Sequence, residues 1–193
     1  MTDLIWSFSP WVAFLLGVRI GNVYWGAGIG VVVAAVVLMR AVSHHRVHLF
    51  DVVGVVYFGG MLVLLAAVRP GDIDTWGRYA QGVAHGSLTI LVFGSILINR
   101  PFTEPYAREQ VPESHWNDPD FRAVNRKISA VWGLAFLVGT ISLIAAGSTD
   151  NRQILLRLVV PFGALILAYR YTDQVSASAK GRPGPATGSA DKG

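Results

Sequence analysis

The chain has 193 residues, of which 52% are hydrophobic and only 15% are charged. A soluble domain usually has about 25% charged residues, so this composition excludes an ordinary water-soluble fold and predicts a membrane protein. The chain has no cysteine, which excludes disulfides, thiolate metal sites and cysteine nucleophiles. The net charge of +4 is typical of a membrane protein with basic residues gathered on its cytoplasmic side, so we expect no nucleic-acid binding.

Five stretches are apolar and long enough to cross a bilayer as helices, and they are roughly 22–40, 49–68, 79–98, 128–147 and 152–171. An earlier apolar stretch, 4–18, is shorter and contains Pro10. We expect this stretch to be half embedded, with a tilted extra span as the alternative. It lacks the basic region of a secretory signal before it, so we expect no cleavage. The predicted fold is therefore an all-α, polytopic integral membrane bundle of five transmembrane helices and a short N-terminal half-embedded helix.

Basic residues divide unevenly between the two sides of this arrangement. Eleven fall on one side, in the loop after the first long stretch, the loop 99–127 and the C-terminal tail: Arg40, Arg46, Arg100, Arg108, Arg122, Arg126, Lys127, Arg170, Lys180, Arg182 and Lys192. Five fall on the other side: Arg19, Arg69, Arg78, Arg152 and Arg157. The positive-inside rule makes the first side cytoplasmic. We therefore predict a multi-pass membrane protein with a cytoplasmic C-terminus, and residues 172–193 as a disordered cytoplasmic tail because they are rich in Ser, Ala, Gly, Pro and Lys.

The loop 99–127 is predicted to contain short helical segments. Pro119 follows an aspartate that can accept N-cap hydrogen bonds, which predicts that the next helix begins at Pro119, outside the bilayer. Thr103 can cap a short helical turn in which Glu104 and Arg108 are i,i+4 neighbours.

The same loop is the predicted docking surface for a cytoplasmic or division-associated partner. The residues proposed for this role are charged or aromatic, and they are Glu104, Tyr106, Arg108, Glu109 and Trp116, together with the start of the next helix at 121–127. The alternative is a solvated loop whose aromatic residues rest in the headgroup layer.

Small residues recur four apart in the apolar stretches. The pairs are Gly17/Gly21, Gly26/Gly30, Gly82/Gly86 and Ala135/Gly139. Such pairs let helices approach closely in lipid, so we expect them to be packing surfaces within the bundle. A homodimer through the Gly26/Gly30 face is the alternative.

Three residues near the first cytoplasmic loop have the spacing of metal ligands. His44, His48 and Asp51 would share one face of a helix at i, i+4 and i+7, where two imidazoles and a carboxylate can ligate zinc or iron. The alternative is that they lie at the headgroup level beside Arg40 and Arg46 and contact phosphates. Membrane di-iron oxygenases need several such histidine groups, and a four-helix haem protein needs paired histidines deep in two spans, where only His85 lies deep. No cofactor is therefore predicted.

Five polar side chains are predicted to converge in the outer half of the bundle, and they are Gln81, His85, Thr140, Ser142 and Arg157. The spans that carry them alternate in direction, which brings the five to one depth. A charge inside hydrocarbon is costly, so Arg157 should either face the bundle or reach back to the interface. The first option predicts a pocket for an anionic headgroup, a substrate or a proton.

One segment resembles a known family. Residues 127–133, Lys-Ile-Ser-Ala-Val-Trp-Gly, followed by Phe136, resemble the lysine-leucine-asparagine, tryptophan-alanine and phenylalanine pattern of the bacterial intracellular septation protein A family. Further features agree in their order along the chain: Pro10, Phe14, Tyr24, Gly59, Gly60, Trp76 and Pro101. The resemblance implies a polytopic inner-membrane protein connected with cell division and envelope integrity, acting through partners and without established catalytic residues.

The sequence thus favours a non-enzymatic envelope or division protein. The alternative is a small carrier or lipid-binding protein that uses the polar site in the outer half of the bundle. A membrane enzyme is less favoured, because no group of residues meets the geometric roles that catalysis needs.

Overall fold

Seven α-helices lie within residues 2–147 and 155–180, the part of the chain that the computed structural model describes. They are α1 (Thr2–Ile20), α2 (Val23–Ser43), α3 (Leu49–Ala66), α4 (Ile73–Leu97), α5 (Glu104–Arg108), α6 (Pro119–Gly147) and α7 (Val160–Lys180). Short 3₁₀ turns occur at Pro70–Asp72 and Glu113–His115, and a π-helical turn, Leu155–Val159, leads into α7.

Five of the helical segments are long and apolar enough to cross a membrane. They are Val23–Ser43, Leu49–Ala66, Tyr79–Leu97, Pro119–Ala146 and Leu155–Ser178, and a shorter apolar helix, Ile5–Ile20, precedes them. The predicted all-α class is therefore confirmed, with five long apolar helices and a shorter N-terminal one. α6 begins at Pro119, as predicted.

Helices α1, α2 and α3 form an antiparallel triplet with α2 in the middle. α1 and α2 are joined by a tight turn and touch where a Cβ on Gly17 would lie 2.8 Å from the Cα of Gly26. At the other end of the pair, Arg40 on α2 lies over the ring of Trp6 on α1. α3 packs on the opposite side of α2, where Phe58 fills the space beside Gly30.

Helices α4, α6 and α7 form a second antiparallel triplet with α6 in the middle. Gly82 on α4 faces Ile144 on α6, and Gly86 faces Thr140. α7 also packs against α6. The Gly82/Gly86 pair is thus a packing surface within the bundle, as predicted.

The Gly26/Gly30 pair also packs against other helices of the same chain. Gly26 lies against Phe14 and Val18, and Gly30 against Phe58, and both glycines are buried. This agrees with packing within the bundle and not with the alternative of a homodimer through this face, because α1 and α3 already fill it.

Phe8 joins the two triplets near one end of the bundle. Its ring stacks on Trp132 with centroids 5.3 Å apart, and it lies 5.0 Å from Phe50 and 5.5 Å from Phe136. The ring of Phe102, in the segment after α4, closes the same cluster. We call this end of the bundle the loop end, since the α2–α3 turn and residues 98–118 lie there.

The C-terminal helix differs from the prediction. α7 continues to Lys180, so the predicted disordered tail begins too early. The reason is tertiary: Thr172 is buried, accepts a hydrogen bond from the Trp132 indole at 3.0 Å and donates one to the Ala168 carbonyl. The rest of the predicted tail, 181–193, and the start of the last predicted span, 152–154, lie outside the described residues.

Candidate anion-binding site at the loop end

The turn between α2 and α3 separates the three residues predicted to bind a metal. α2 ends at Ser43 and α3 begins at Leu49, and the backbone reverses at His45, whose φ is 54°. The expected single helical face for His44, His48 and Asp51 is therefore wrong, since the helix breaks between them. Within residues 2–147 and 155–180, no group of three or more His, Asp or Glu side chains is placed to hold a metal ion.

His48 and Asp51 instead form a capping box at the start of α3. The backbone N–H of His48 donates to Asp51 Oδ2 at 2.9 Å, and the His48 ring Nδ1 lies 3.4 Å from the same oxygen. The hydroxyl of Ser7 on α1 donates to the other carboxylate oxygen. The buried Asp51 carboxylate is thus engaged on both oxygens.

The loop after α4 folds back onto this turn. Glu109 Oε1 lies 3.1 Å from His48 Nε2, and the Tyr106 ring stacks on the imidazole with centroids 4.1 Å apart and an interplanar angle of 15°. Arg46 approaches the other Glu109 oxygen at 3.9 Å. His48 is therefore held between two carboxylates and an aromatic ring.

These neighbours change the acidity of His48. Burial is the largest single influence on its pKa and acts to lower it. The hydrogen bond to Asp51 and the charges of Glu109 and Asp51 together outweigh burial, so the pKa of His48 is raised above its usual value. The protonated imidazole is the form that the site favours.

Buried polar contacts fix the loop to α6. The Thr103 hydroxyl lies 2.9 Å from Ser129 Oγ and donates to the Asn125 carbonyl at 3.0 Å. Ser129 and Asn125 are 0% and 2% exposed, so these contacts are shielded from solvent. The short helix predicted after Thr103 exists as α5, but the Thr103 side chain bonds to α6 instead of capping it.

The expected partner-facing surface is only partly exposed. Glu104 and Tyr106 are buried, and Glu104 accepts a hydrogen bond from Arg108, as the i,i+4 spacing predicts. Arg108 also lies over the Trp116 ring, 5.1 Å from its centroid. Burial of Phe102 and Tyr106 draws the loop onto the bundle, so most of its predicted docking residues face inward or pair with one another.

A cavity of about 470 Å³ opens beside His48. It lies between the start of α1, the end of α2 and the start of α3, and its lining residues are Trp6, Ser7, Val37, Arg40, Ala41, His44, Arg46, His48 and Asp51. The Arg40 guanidinium lies 4.5 Å from the centroid of the Trp6 ring. Arg46 and His48 lie beside the carboxylates of Glu109 and Asp51, and the Arg40 guanidinium adds a further positive charge, which makes the cavity electropositive.

Arg40, Ser7 and Trp6 were not predicted as site residues. Arg40 could have been found from the alternative interpretation of the first loop. That interpretation placed His44 and His48 beside Arg40 and Arg46 at the headgroup level. Ser7 and Trp6 lie in an apolar stretch, and only the packing of α1 on α2 and α3 brings them to the cavity.

The five residues expected to converge in the outer half make separate contacts. Four of them donate to backbone carbonyls: Gln81 to Leu15, Thr140 to Phe136, Ser142 to Leu156 and Arg157 to Ala146. The fifth, His85, is buried between α4 and α6. In the described part of the chain no hydrogen bond joins any two of the five, so they do not form a shared polar network.

Comparison with protein-family models, curated proteins and solved structures gives no match for this chain. The class of protein is therefore assigned from the fold and the site alone. It is a multi-pass membrane protein whose helical bundle carries an electropositive cavity at one end.

Proposed function

We propose that this protein binds an anionic lipid and holds the headgroup phosphate in the loop-end cavity. The observation that carries the proposal is that three cationic side chains, Arg40, Arg46 and His48, line one cavity, whereas only two carboxylates, Asp51 and Glu109, lie beside them. The cavity therefore presents more positive charge than the chain itself neutralises.

The chemistry of the lining suits a phosphate diester. Guanidinium groups present several N–H donors in a planar fork that matches phosphate oxygens. Among the described residues no carboxylate lies within ion-pair distance of Arg40, and Arg46 makes only a 3.9 Å contact with Glu109. Both side chains can therefore turn toward a phosphate without first breaking a strong ion pair.

The position of the cavity suits a lipid source. It lies at the ends of apolar helices, with Trp6 in its wall, and tryptophan favours the membrane–water interface. The uneven distribution of Lys and Arg supports a cytoplasmic loop end in a bacterial inner membrane, where anionic lipids attract basic residues. The proposed role is binding without catalysis.

Native mass spectrometry of the detergent-purified protein tests the proposal. The wild type is compared with Arg40→Gln and with Arg126→Gln, which removes the same charge from an exposed position on α6. We expect phosphatidylglycerol to be retained by the wild type and the control but about tenfold less by Arg40→Gln, since a hydrogen bond to a charged group contributes about 1.5–3 kcal/mol.

Two further arms identify the source of the phosphate. Phosphatidylethanolamine should be retained less than phosphatidylglycerol, and inorganic phosphate should not displace the lipid. Equal retention of both lipids by all three proteins would refute a built anionic site, and displacement by inorganic phosphate would reassign the cavity to a soluble anion.

We also propose a role in envelope integrity or division, acting through a partner. The resemblance to the septation protein A family motivates this role, and the exposed basic side chains of Arg122, Arg126 and Lys127 at the start of α6 support it. These residues leave a charged face at the loop end, outside the buried contacts of the loop.

Microscopy and genetics test this second role. We expect a fluorescent fusion to concentrate at division sites, and a deletion strain to show altered cell length or envelope leakage that Arg122→Glu/Arg126→Glu fails to restore. A fusion spread uniformly over the membrane, with a deletion strain of normal length and integrity, would refute the role while leaving lipid binding intact.

A further inference from the structure

A second cavity lies on the lipid-facing side of the bundle. It has a volume of about 250 Å³ and opens between α1 and α7, with α4 and α6 as its floor. Residues at its mouth are exposed on the outer surface of the helices, and they are Ile5, Val12, Ile166 and Tyr169. The floor is formed by buried residues that include Leu88 and Phe136. We call this cavity the α1–α7 groove.

The groove is long and narrow. Its wall on α1 runs from Ile5 to Leu15, which is about 15 Å of helix at a rise of about 1.5 Å per residue. A volume of about 250 Å³ over that length gives a mean cross-section of about 17 Å². A helix with its side chains is about 10–12 Å across, so it cannot enter the groove. These dimensions suit a single unbranched carbon chain that runs parallel to the helices.

The groove lies at hydrocarbon depth and has apolar walls. Ile166, at its mouth, is in the middle of the apolar segment Leu155–Ser178. Water is a poor occupant, because an ordered water needs several polar partners and the walls expose almost none. Tyr169 lies one turn before Thr172, at the loop end of the groove, and tyrosine favours the membrane–water interface. The groove therefore suits an apolar chain whose polar head stays at the loop end.

Contacts behind the walls keep the groove open. Phe8 in the α1 wall stacks on Trp132 with centroids 5.3 Å apart, and the Trp132 indole donates to Thr172 on α7. Trp11, also in the α1 wall, packs against Phe58 on α3 with centroids 4.9 Å apart. The rings cannot fill the groove without losing these contacts. Because a gap beside apolar side chains forfeits dispersion attraction, a lipid chain is stabilised by filling it.

We infer that the α1–α7 groove binds one acyl chain of a phospholipid from the leaflet at the loop end. A chain in the groove meets protein on three sides, at α1, at α7 and at the floor. A chain beside the outer face of one helix meets protein on one side only, so the groove retains its chain longer than the surrounding surface does. The site recognises a chain and not a headgroup, so it is separate from the loop-end cavity and does not rest on it.

Photolabelling from an acyl chain tests the inference. The protein is reconstituted in phosphatidylcholine vesicles that contain a small fraction of phosphatidylcholine with a diazirine near the end of one chain. Mass spectrometry then locates the labelled residues. Leu165 and Leu167 have the same side chain and lie two residues apart on α7, but half-buried Leu165 lines the groove and Leu167 is 69% exposed outside it. We expect Leu165 to be labelled at least as strongly as Leu167, whereas contact with surrounding lipid alone favours Leu167.

A variant that fills the groove supplies the second readout. Val12→Phe adds a ring at the α1 side of the mouth, opposite α7, and should reduce the labelling of Leu165 by about fivefold or more. Labelling of Leu167 should stay the same. Val32→Phe makes the same change at a 62% exposed position on α2, and it should leave both leucines labelled as in the wild type.

Three outcomes would overturn the inference. Label confined to Leu167 would mean that no lipid chain enters the groove, as when a second copy of the protein covers its mouth. Equal labelling of Leu165 in the wild type and Val12→Phe would place the reactive chain outside the groove, and an equal loss in Val32→Phe would make the effect unspecific. The ratio of Leu165 to Leu167 in the wild type decides the question even if Val12→Phe does not fold. Phosphatidylcholine carries no net charge, so these results do not depend on anion binding in the loop-end cavity.

Discussion

Nε2 of His48 lies 3.1 Å from Oε1 of Glu109, although the two residues are 61 positions apart in the chain. One residue begins α3 and the other follows α5, so the contact fastens the loop to the α2–α3 turn. His48 also lines the loop-end cavity. Attachment of the loop and the shape of the cavity are therefore coupled through one titratable group.

This contact predicts that the loop docks less firmly at high pH. The pKa of His48 is raised in the folded state, so the stabilisation is complete below the ordinary histidine pKa of 6.5 and is lost as pH rises through the raised value. Hydrogen exchange of amides 102–110, corrected for intrinsic rate, should be up to about fivefold faster at pH 9 than at pH 6, since a partly exposed ion pair contributes up to about 1 kcal/mol.

The groups that face His48 define the control for that experiment. Asp51 and Glu109 are the carboxylates beside it, and Arg46 is the neighbouring cation. His48→Gln should exchange at one corrected rate at both pH values. Wild-type rates that do not differ between pH 6 and pH 9 would contradict the proposed coupling.

Two glycines on α2 should respond oppositely to alanine. A Cβ at Gly26 would lie 2.3 Å from Val18 Cγ2 and 3.0 Å from the Phe14 carbonyl oxygen, whereas a Cβ at Gly28 meets nothing within 4 Å. We expect Gly26→Ala to destabilise the protein by about 1–3 kcal/mol through overpacking. Gly28→Ala should be neutral or stabilising by up to about 1 kcal/mol, because alanine favours helix. Thermal unfolding in detergent measures both, and equal melting temperatures for the two variants would argue against the α1–α2 contact.

The buried hydroxyl pair between the loop and α6 should contribute measurably to stability. Ser129→Ala leaves the Thr103 hydroxyl and amide with poorer partners at a 0% exposed position, so we expect a loss of about 1–3 kcal/mol. Ser178→Ala removes a hydroxyl that is exposed and bonds only within α7, and it should cost less than about 0.5 kcal/mol. Denaturant titrations of the two variants give the comparison; a Ser129→Ala midpoint equal to that of Ser178→Ala would mean that the loop is held by other contacts.

The predicted orientation can be read from cysteine accessibility. The native chain has no cysteine, so single substitutions at the exposed residues Glu113 and Gly71 report on opposite ends of the bundle. In intact cells, a membrane-impermeant maleimide should label Gly71→Cys strongly and Glu113→Cys weakly, and lysis should equalise the two. The reverse pattern would place the loop end outside the cell.

Local features were predicted well because their causes lie close together in the sequence. Hydropathy over about 20 residues marks the spans, and an aspartate before Pro119 marks the start of α6. The Glu104–Arg108 pair follows in the same way from helical spacing. Each of these depends on residues within a few turns of one another.

The sites depended on contacts between distant segments. The sequence shows His44, His48 and Asp51 at helical spacing, but the reversal at His45 separates them, and Ser7 and Glu109 become neighbours only when α1 and the loop pack on α3. His85 and Trp11 likewise line one cavity only in the folded bundle. The sequence by itself determined which segments are helical and apolar, since water and lipid act on each segment separately. Which side chains share a cavity was decided by tertiary packing, because that depends on how closely small residues let the helices approach.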